Sequence, residues 1–213
     1  NIITPLKDRV DAQILTHYPT SIEDSTRITE QEAWTERGET IYVAPLVREL
    51  VELVAHEARE SDFVDKASGV SARMAISLLE TLYSTAEMRA YQHGDDVAMV
   101  RVSDLFQSVT ALTGKIELVY KGEQEGVTNV ALHLIGRAVK NAFDKHYVPG
   151  RQKGRKREGD FSLFQPIIDW FEAGNTLQYD TSIGHREFSK VLHGVGGLEA
   201  LAKEIAKPKS EKE

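Results

Sequence analysis

The chain has 213 residues, enough for one large or two small domains, and its 41% hydrophobic content supports a buried core and excludes disorder over most of its length. No apolar run reaches the roughly 18–20 residues that span a bilayer, and the absence of cysteine excludes disulfides and thiolate metal sites, which fits a cytoplasmic protein. The net charge of -7 is uneven: Arg151 to Arg157 carries five basic residues and no acid, so the rest of the chain is more acidic still and a general nucleic-acid-binding surface is disfavoured.

The start, Asn1-Ile2-Ile3-Thr4-Pro5, has neither a methionine nor a basic-then-apolar leader, so it reads as an internal piece of a longer protein. Leu6 to Val10 predicts one or two helical turns, and Gln13 to Tyr18 a short strand ending at Pro19. A helix is expected after Thr20 or Ser21, with Glu23 and Asp24 in its first turn and its end near Gly38. Pro45 suits the first position of the next helix. There Val47, Leu50, Val51, Val54 and Ala58 recur at three- and four-residue spacing and make one apolar face.

Ser71 is a natural N-cap for a helix of about 20 residues, by the preference of serine for that position. Ala75, Leu79, Leu82, Ala86 and Ala90 line one side of it, and Gly94-Asp95-Asp96 ends it. Ser103 is expected to cap a shorter helix through Leu112. Ile116 to Tyr120 fits a short strand or a helix start, between which periodicity does not decide. A second long helix is expected from about Glu125 to His146, with Val127, Ala131, Leu134, Ala138 and Ala142 on its buried stripe. After the basic loop come an aromatic segment (Phe161, Phe164, Trp170, Phe171), a turn at Gly174-Asn175, helices around 185–193 and 197–206, and a polar tail from Lys207. These elements predict a mainly α fold, a helical bundle.

No catalytic constellation is evident. The seven histidines are scattered without metal-ligand spacing, so structural or solvent-facing roles are expected of them. Thr113-Gly114-Lys115 has the closing residues of a phosphate-binding loop but lacks the upstream glycine, and Ile116 replaces the hydroxyl that would hold magnesium. Gly114 is better explained as the end of the preceding helix. The basic loop reads as a solvated connection or as a contact for an acidic partner, and no aromatic interleaves it for base stacking.

Two arginines stand apart. In Ser68-Gly69-Val70-Ser71-Ala72-Arg73, Arg73 falls on the first turn of a long helix, where the dipole favours acids and disfavours cations. An arginine there is expected to meet an anion, either a local acid such as Glu80 or Asp65 or a phosphate. Arg9, in Thr4-Pro5-Leu6-Lys7-Asp8-Arg9, has Asp8 and Asp11 as local alternatives. Brought in from separate elements, two such planar, permanently charged forks suit γ-phosphoryl transfer, which is catalysed by positioning and charge stabilisation.

At these residues the chain resembles the AAA+ ATPases. Thr4 to Arg9 looks like the end of the ATPase core past the sensor-1 strand, where the magnesium-chelatase subunit I and MoxR-like branch carries a P-x-L-x-D-R-F segment, and Val10 stands in place of the phenylalanine. Ser68 to Arg73 resembles the sensor-2 segment that opens a lid helix. Similarity to magnesium chelatase subunit I-like ATPases extends through Gly69 to Arg73 and Gly114 to Tyr120, within residues 1–145.

The resemblance implies a short remnant of the α/β core over 1–19, a helical lid over 20–148, a basic loop over 149–160, a helical C-terminal extension over 161–206 and a disordered tail over 207–213. It makes Arg9 an arginine-finger candidate and Arg73 the sensor-2 candidate. The complete protein would bind ATP and Mg2+, assemble as a homo-oligomeric ring and act on a protein client or partner subunit, without a membrane. The chain has no Walker A, Walker B or sensor-1 segment, so alone it would bind no nucleotide and show no ATPase activity. A different class remains open: a standalone α-helical interaction or scaffold domain without nucleotide chemistry.

Overall fold

The computed structural model of the chain describes residues 9, 12, 14, 17–38, 40–66, 70–71, 73–148 and 162–206. Within them the protein is mainly helical and forms a bundle around one apolar cluster. The turns expected over 6–10, apart from Arg9, lie outside the described residues, as do the basic loop and the tail. The strand expected over 13–18 is not seen at its described positions. Ile14, His17 and Tyr18 have no regular structure, and the Tyr18 hydroxyl is used in a long-range bond instead.

Helix α1, Ile22–Glu32, starts as the sequence predicts, with the Ser21 side chain accepting from the Asp24 N–H at 3.0 Å. It stops well before Gly38 for a tertiary reason. The Trp34 N–H donates to Glu80, and Arg37 donates to the Trp34 and Glu80 carbonyls, to Ser84 and to Glu87. Those bonds hold residues 34–37, which have no regular structure, against a neighbouring helix. Strand β1, Ile41–Tyr42, follows and leads to helix α2, Pro45–Glu60.

Helix α2 buries Val47, Leu50, Val51, Val54, Ala55 and Ala58, which include its predicted apolar face. Helix α3, Arg73–His93, spans 21 residues, about 30 Å at 1.5 Å per residue. Met74, Leu78 and Leu82 are fully buried along it. Each such leucine contributes roughly 2 kcal/mol of burial. Strand β2, Ala98–Met99, then pairs in parallel with β1, Ile41 opposite Ala98 and Tyr42 opposite Met99.

The helix expected from Ser103 to Leu112 is two single turns, α4 (Asp104–Gln107) and α5 (Thr110–Thr113). Ser103 makes no side-chain cap. Asp104 is instead drawn inward by arginines, and the Ser108 hydroxyl and N–H both bond the Asp104 carbonyl, closing the turn there. Gly114 does end α5, as expected. Both readings of 116–120 are partly realised: Leu118 forms an isolated antiparallel bridge with Val64, and Tyr120 opens α6, Tyr120–Glu125.

Gly126, at φ +89°, separates α6 from α7, Val127–Tyr147. A side chain would be strained there, and the long helix begins at Val127, the first residue of its apolar stripe, two residues after the start expected near Glu125. Helix α7 buries Val130, Ala131, Leu134, Ile135, Ala138 and Ala142 and packs mainly on α2. Alanines on both partners (Ala55, Ala58, Ala131, Ala138) are fully buried, which permits a close approach.

The C-terminal part comprises a 3-10 turn, Ser162–Phe164, and helices α8 (Gln165–Glu172), α9 (His185–His193) and α10 (Leu198–Ile205). The last two match expectation, and α8 occupies the aromatic segment. Among its apolar residues Val195 and Leu201 are buried, and the Trp170 ring lies close over Gly196.

Two glycines make opposite predictions. A Cβ on Gly122 would lie 2.4 Å from the Phe63 carbonyl oxygen, whereas one on Gly136, in the exposed middle of α7, would meet nothing. Gly122→Ala should destabilise by about 1–3 kcal/mol and Gly136→Ala should stabilise by about 0.5–1 kcal/mol, both read from urea unfolding.

At the other end of α2, Lys145 and His146 of α7 each donate to Glu49 at 2.6 Å. Burial alone would raise the Glu49 pKa, but these hydrogen bonds and charges hold it below the ordinary glutamate value. A carboxylate with a depressed folded-state pKa stabilises the fold above its unfolded value and loses that contribution as pH falls through the folded one. The acid limb of stability against pH should therefore flatten in Glu49→Gln, measured by chemical denaturation between neutral pH and the acidic side of the carboxylate range.

Candidate functional site

The N-terminal end of α3 is where the sequence-predicted Arg73 lies, and the chain converges on it from three directions. The Tyr18 hydroxyl donates to the Val70 carbonyl at 2.8 Å and lies 3.2 Å from the Val70 N–H, which donates back to it. This double bond ties residues 52 positions apart and fixes the approach to α3. Val70 is buried, and the Ser71 hydroxyl accepts from the Arg73 N–H at 3.2 Å. Ser71, predicted as the N-cap, stands two residues before the helix and bonds its first N–H, while the N-cap position, 72, lies outside the described residues. Ser68, Gly69 and Ala72 lie outside the described residues.

Arg73 is the first residue of α3, exposed, with no acidic residue in the first turn. Among the described residues it makes no ion pair. Glu80, one local acid expected to neutralise it, accepts from Trp34 instead. The charge stays where the helix dipole disfavours it, without an ion pair among the described residues. Arg9 is an exposed turn residue, and no contact joins it to Arg73 among the described residues.

Beside the α3 terminus is a cleft of about 110 Å3 lined by Tyr18, Arg59, Val64, Asp65, Lys66 and Val70. Arg59 comes from the last turn of α2, and its guanidinium carbon sits 4.3 Å over the Tyr18 ring centre. Such a stack fixes the plane of the fork without neutralising its charge. Its Nε is buried without a hydrogen-bond partner. Lys66 is exposed at the cleft edge. Sequence reasoning missed Arg59, Lys66 and Tyr18. A basic residue in a last helical turn is explained by the dipole alone, and nothing local links Tyr18 to Val70.

The far end of α3 has a different character. Arg89 and Asp104, both buried, form a bidentate pair at 2.7 and 2.9 Å, and Arg89 also donates to the Met99 carbonyl. Asp104 also accepts the Arg101 N–H at 2.8 Å. The Arg101 guanidinium donates to the Ile183 carbonyl and lies 4.1 Å over the Phe188 ring, so it docks the C-terminal helices on this end. Burial, then the like charge of Arg89, push its pKa below the usual guanidinium value, with Asp104 opposing.

A larger cleft of about 660 Å3 nearby includes Glu87, Tyr91, Asp95 and Asp96. Its acids serve the fold: Glu87 pairs with Arg37, and Asp95 accepts the His185 N–H. Among the described residues no group of three or more acidic or histidine side chains is placed to hold a metal.

Comparison of the chain with family models, with curated proteins and with solved structures finds no match. The functional reading therefore rests on residues and geometry. No helix among the described residues is long and apolar enough to cross a membrane.

The Arg89–Asp104 pair is satisfied on both sides, so removing one partner strands a buried charge. Asp104→Leu should cost about 3–5 kcal/mol, and adding Arg89→Met in the same chain should recover part of that loss. Thermal unfolding of the single and double variants measures the difference.

Proposed function

We propose that this chain is the lid and C-terminal region of a ring-forming AAA+ ATPase of the magnesium chelatase-like and MoxR-like kind. The complete protein would hydrolyse MgATP to drive remodelling of a protein client or partner subunit. The observation that carries the reading is Arg73: an exposed cation on the first turn of a 21-residue helix, without an ion pair among the described residues. A nucleotide phosphate supplies the charge that this position lacks, and the guanidinium fork matches its oxygens.

In this reading Arg73 acts as the sensor-2 arginine. Because it opens a rigid, buried helix, a phosphate that draws it in would move α3 with it. Arg9 is the arginine-finger candidate, serving the ATP of a neighbouring subunit in a homo-oligomeric ring. The phosphate-cradling loop and the magnesium-holding acid belong to sequence outside these 213 residues. A second reading, a helical interaction domain, is favoured by the exposed Met88 and Tyr91, at 59% and 91%, beside the larger cleft.

Full-length protein distinguishes the two. Arg73→Ala should leave helical content unchanged, since the side chain is exposed, and lower ATP turnover by roughly a hundredfold. Arg9→Ala should lower it by about a thousandfold or more at unchanged nucleotide affinity, with activity restored in mixed rings whose neighbours supply the arginine. Wild-type turnover in Arg73→Ala removes the sensor-2 assignment and leaves the interaction domain.

A further inference from the structure

The helices after Ser162 stand apart from the apolar cluster at the centre of the bundle. Among the described residues, none of 162–206 belongs to that cluster or to the apolar side chains packed against it. This C-terminal unit has buried apolar residues of its own, Val195 and Leu201, and lays Trp170 over Gly196. Near its start the Phe164 ring meets Phe143 of α7, with ring centres 5.4 Å apart.

The unit is gripped at the segment Thr181–His185, and the grip is polar. His93, in the last turn of α3, donates from Nε2 to the Ser182 carbonyl at 2.8 Å. Arg101 donates to the Ile183 carbonyl at 2.9 Å and stacks on Phe188, and Asp95 accepts the His185 N–H at 2.7 Å. Gln107 donates to the Thr181 hydroxyl. Side chains of the bundle thus hold mainly the main chain of the segment. Gly184 fits because it has no side chain: a Cβ there would lie 2.9 Å from the His93 Cβ. Two polar atoms at this contact, Arg101 Nε and His185 Nδ1, are buried without partners. Docking therefore gives up hydration that release restores.

We infer that residues 162–206 are a detachable unit, latched to the end of α3 through Thr181–His185, which undocks while the helical bundle stays folded. Little apolar burial and a polar, main-chain contact put the unit at the low-stability end of the fold, where segments open without global unfolding. Release uncovers His93 and the Arg101 guanidinium. It also frees Asp95, which lines the larger cleft, so an occupant of that cleft that takes this carboxylate competes with the latch. The latch depends on neither functional reading above.

Arg89 and Arg101 are each 5% exposed, which makes them paired reporters. Arg89 is held inside the bundle by Asp104, whereas Arg101 is held against Ile183 and Phe188 of the unit. The 213-residue chain is pulse-labelled with phenylglyoxal under native conditions and read by mass spectrometry, each rate taken relative to the same arginine in urea-unfolded chain. Arg101 should label at least about tenfold faster than Arg89. Gly184→Ala strikes the docked state alone, because at φ -62° alanine fits the free segment and meets His93 only on docking. It should raise Arg101 labelling about tenfold further and leave Arg89 unchanged. Gln107→Ala, at an exposed position, should act in the same direction by about threefold and serves if Gly184→Ala unfolds. Equal protection of the two arginines in wild type, no response of Arg101 to either variant, or a parallel rise of both arginines overturns the latch and makes residues 162–206 part of one cooperative unit with the bundle.

Discussion

Helix α3 lies in the apolar cluster along most of its length, with Met74, Leu78 and Leu82 fully buried and contacts to α1, α2, α5 and β2. A helix held on that many sides cannot slide or rotate without breaking close packing, because protein interiors are as dense as organic crystals. Its two ends are therefore fixed relative to each other at about 30 Å. At one end stand Val70, Ser71 and Arg73; at the other, Arg89 and the docking surface for the C-terminal helices. Whatever acts on either end meets a rigid rod, and this makes α3 the element on which the proposed function depends.

The two ends of α3 hold their charge in different surroundings, one buried and one exposed. At the C-terminal end Arg89 is engaged by Asp104 and Met99, and Arg101 bonds Ile183 and stacks on Phe188 with its Nε left unpartnered. Buried charge there is acceptable because each one is paired or hydrogen-bonded. At the N-terminal end the exposed Arg73 makes no ion pair among the described residues, on a helix terminus that already carries partial positive charge. A surface built only for stability would place acids there. The charge of Arg73 on that terminus is the physical basis for the proposed reading of this end.

The helices were legible where one amphipathic stripe faces one core. The predicted stripes of α2, α3 and α7 are buried except for the partly buried Val127, because three- and four-residue spacing maps onto burial, though Met74, Leu78, Val130 and Ile135 widen them. Errors cluster where a distant side chain decides the backbone. Helix α1 ends early because bonds through Arg37 and Glu80 hold residues 34–37 against the next helix, and α4 and α5 are separate turns because Asp104 answers to Arg89. The parallel pairing of β1 with β2 was not foreseen, since two two-residue strands carry no periodic signal.

By itself the sequence determined the helical class, the buried stripes and the anomalous charge at Arg73, all of which follow from local spacing and the helix dipole. Only the tertiary structure decided what surrounds that charge. It left Arg73 without an ion pair among the described residues, brought Tyr18 to Val70 across 52 positions, and stacked Arg59 on the tyrosine ring. Those contacts join residues whose separation along the chain leaves no local pattern, so packing alone assembles them.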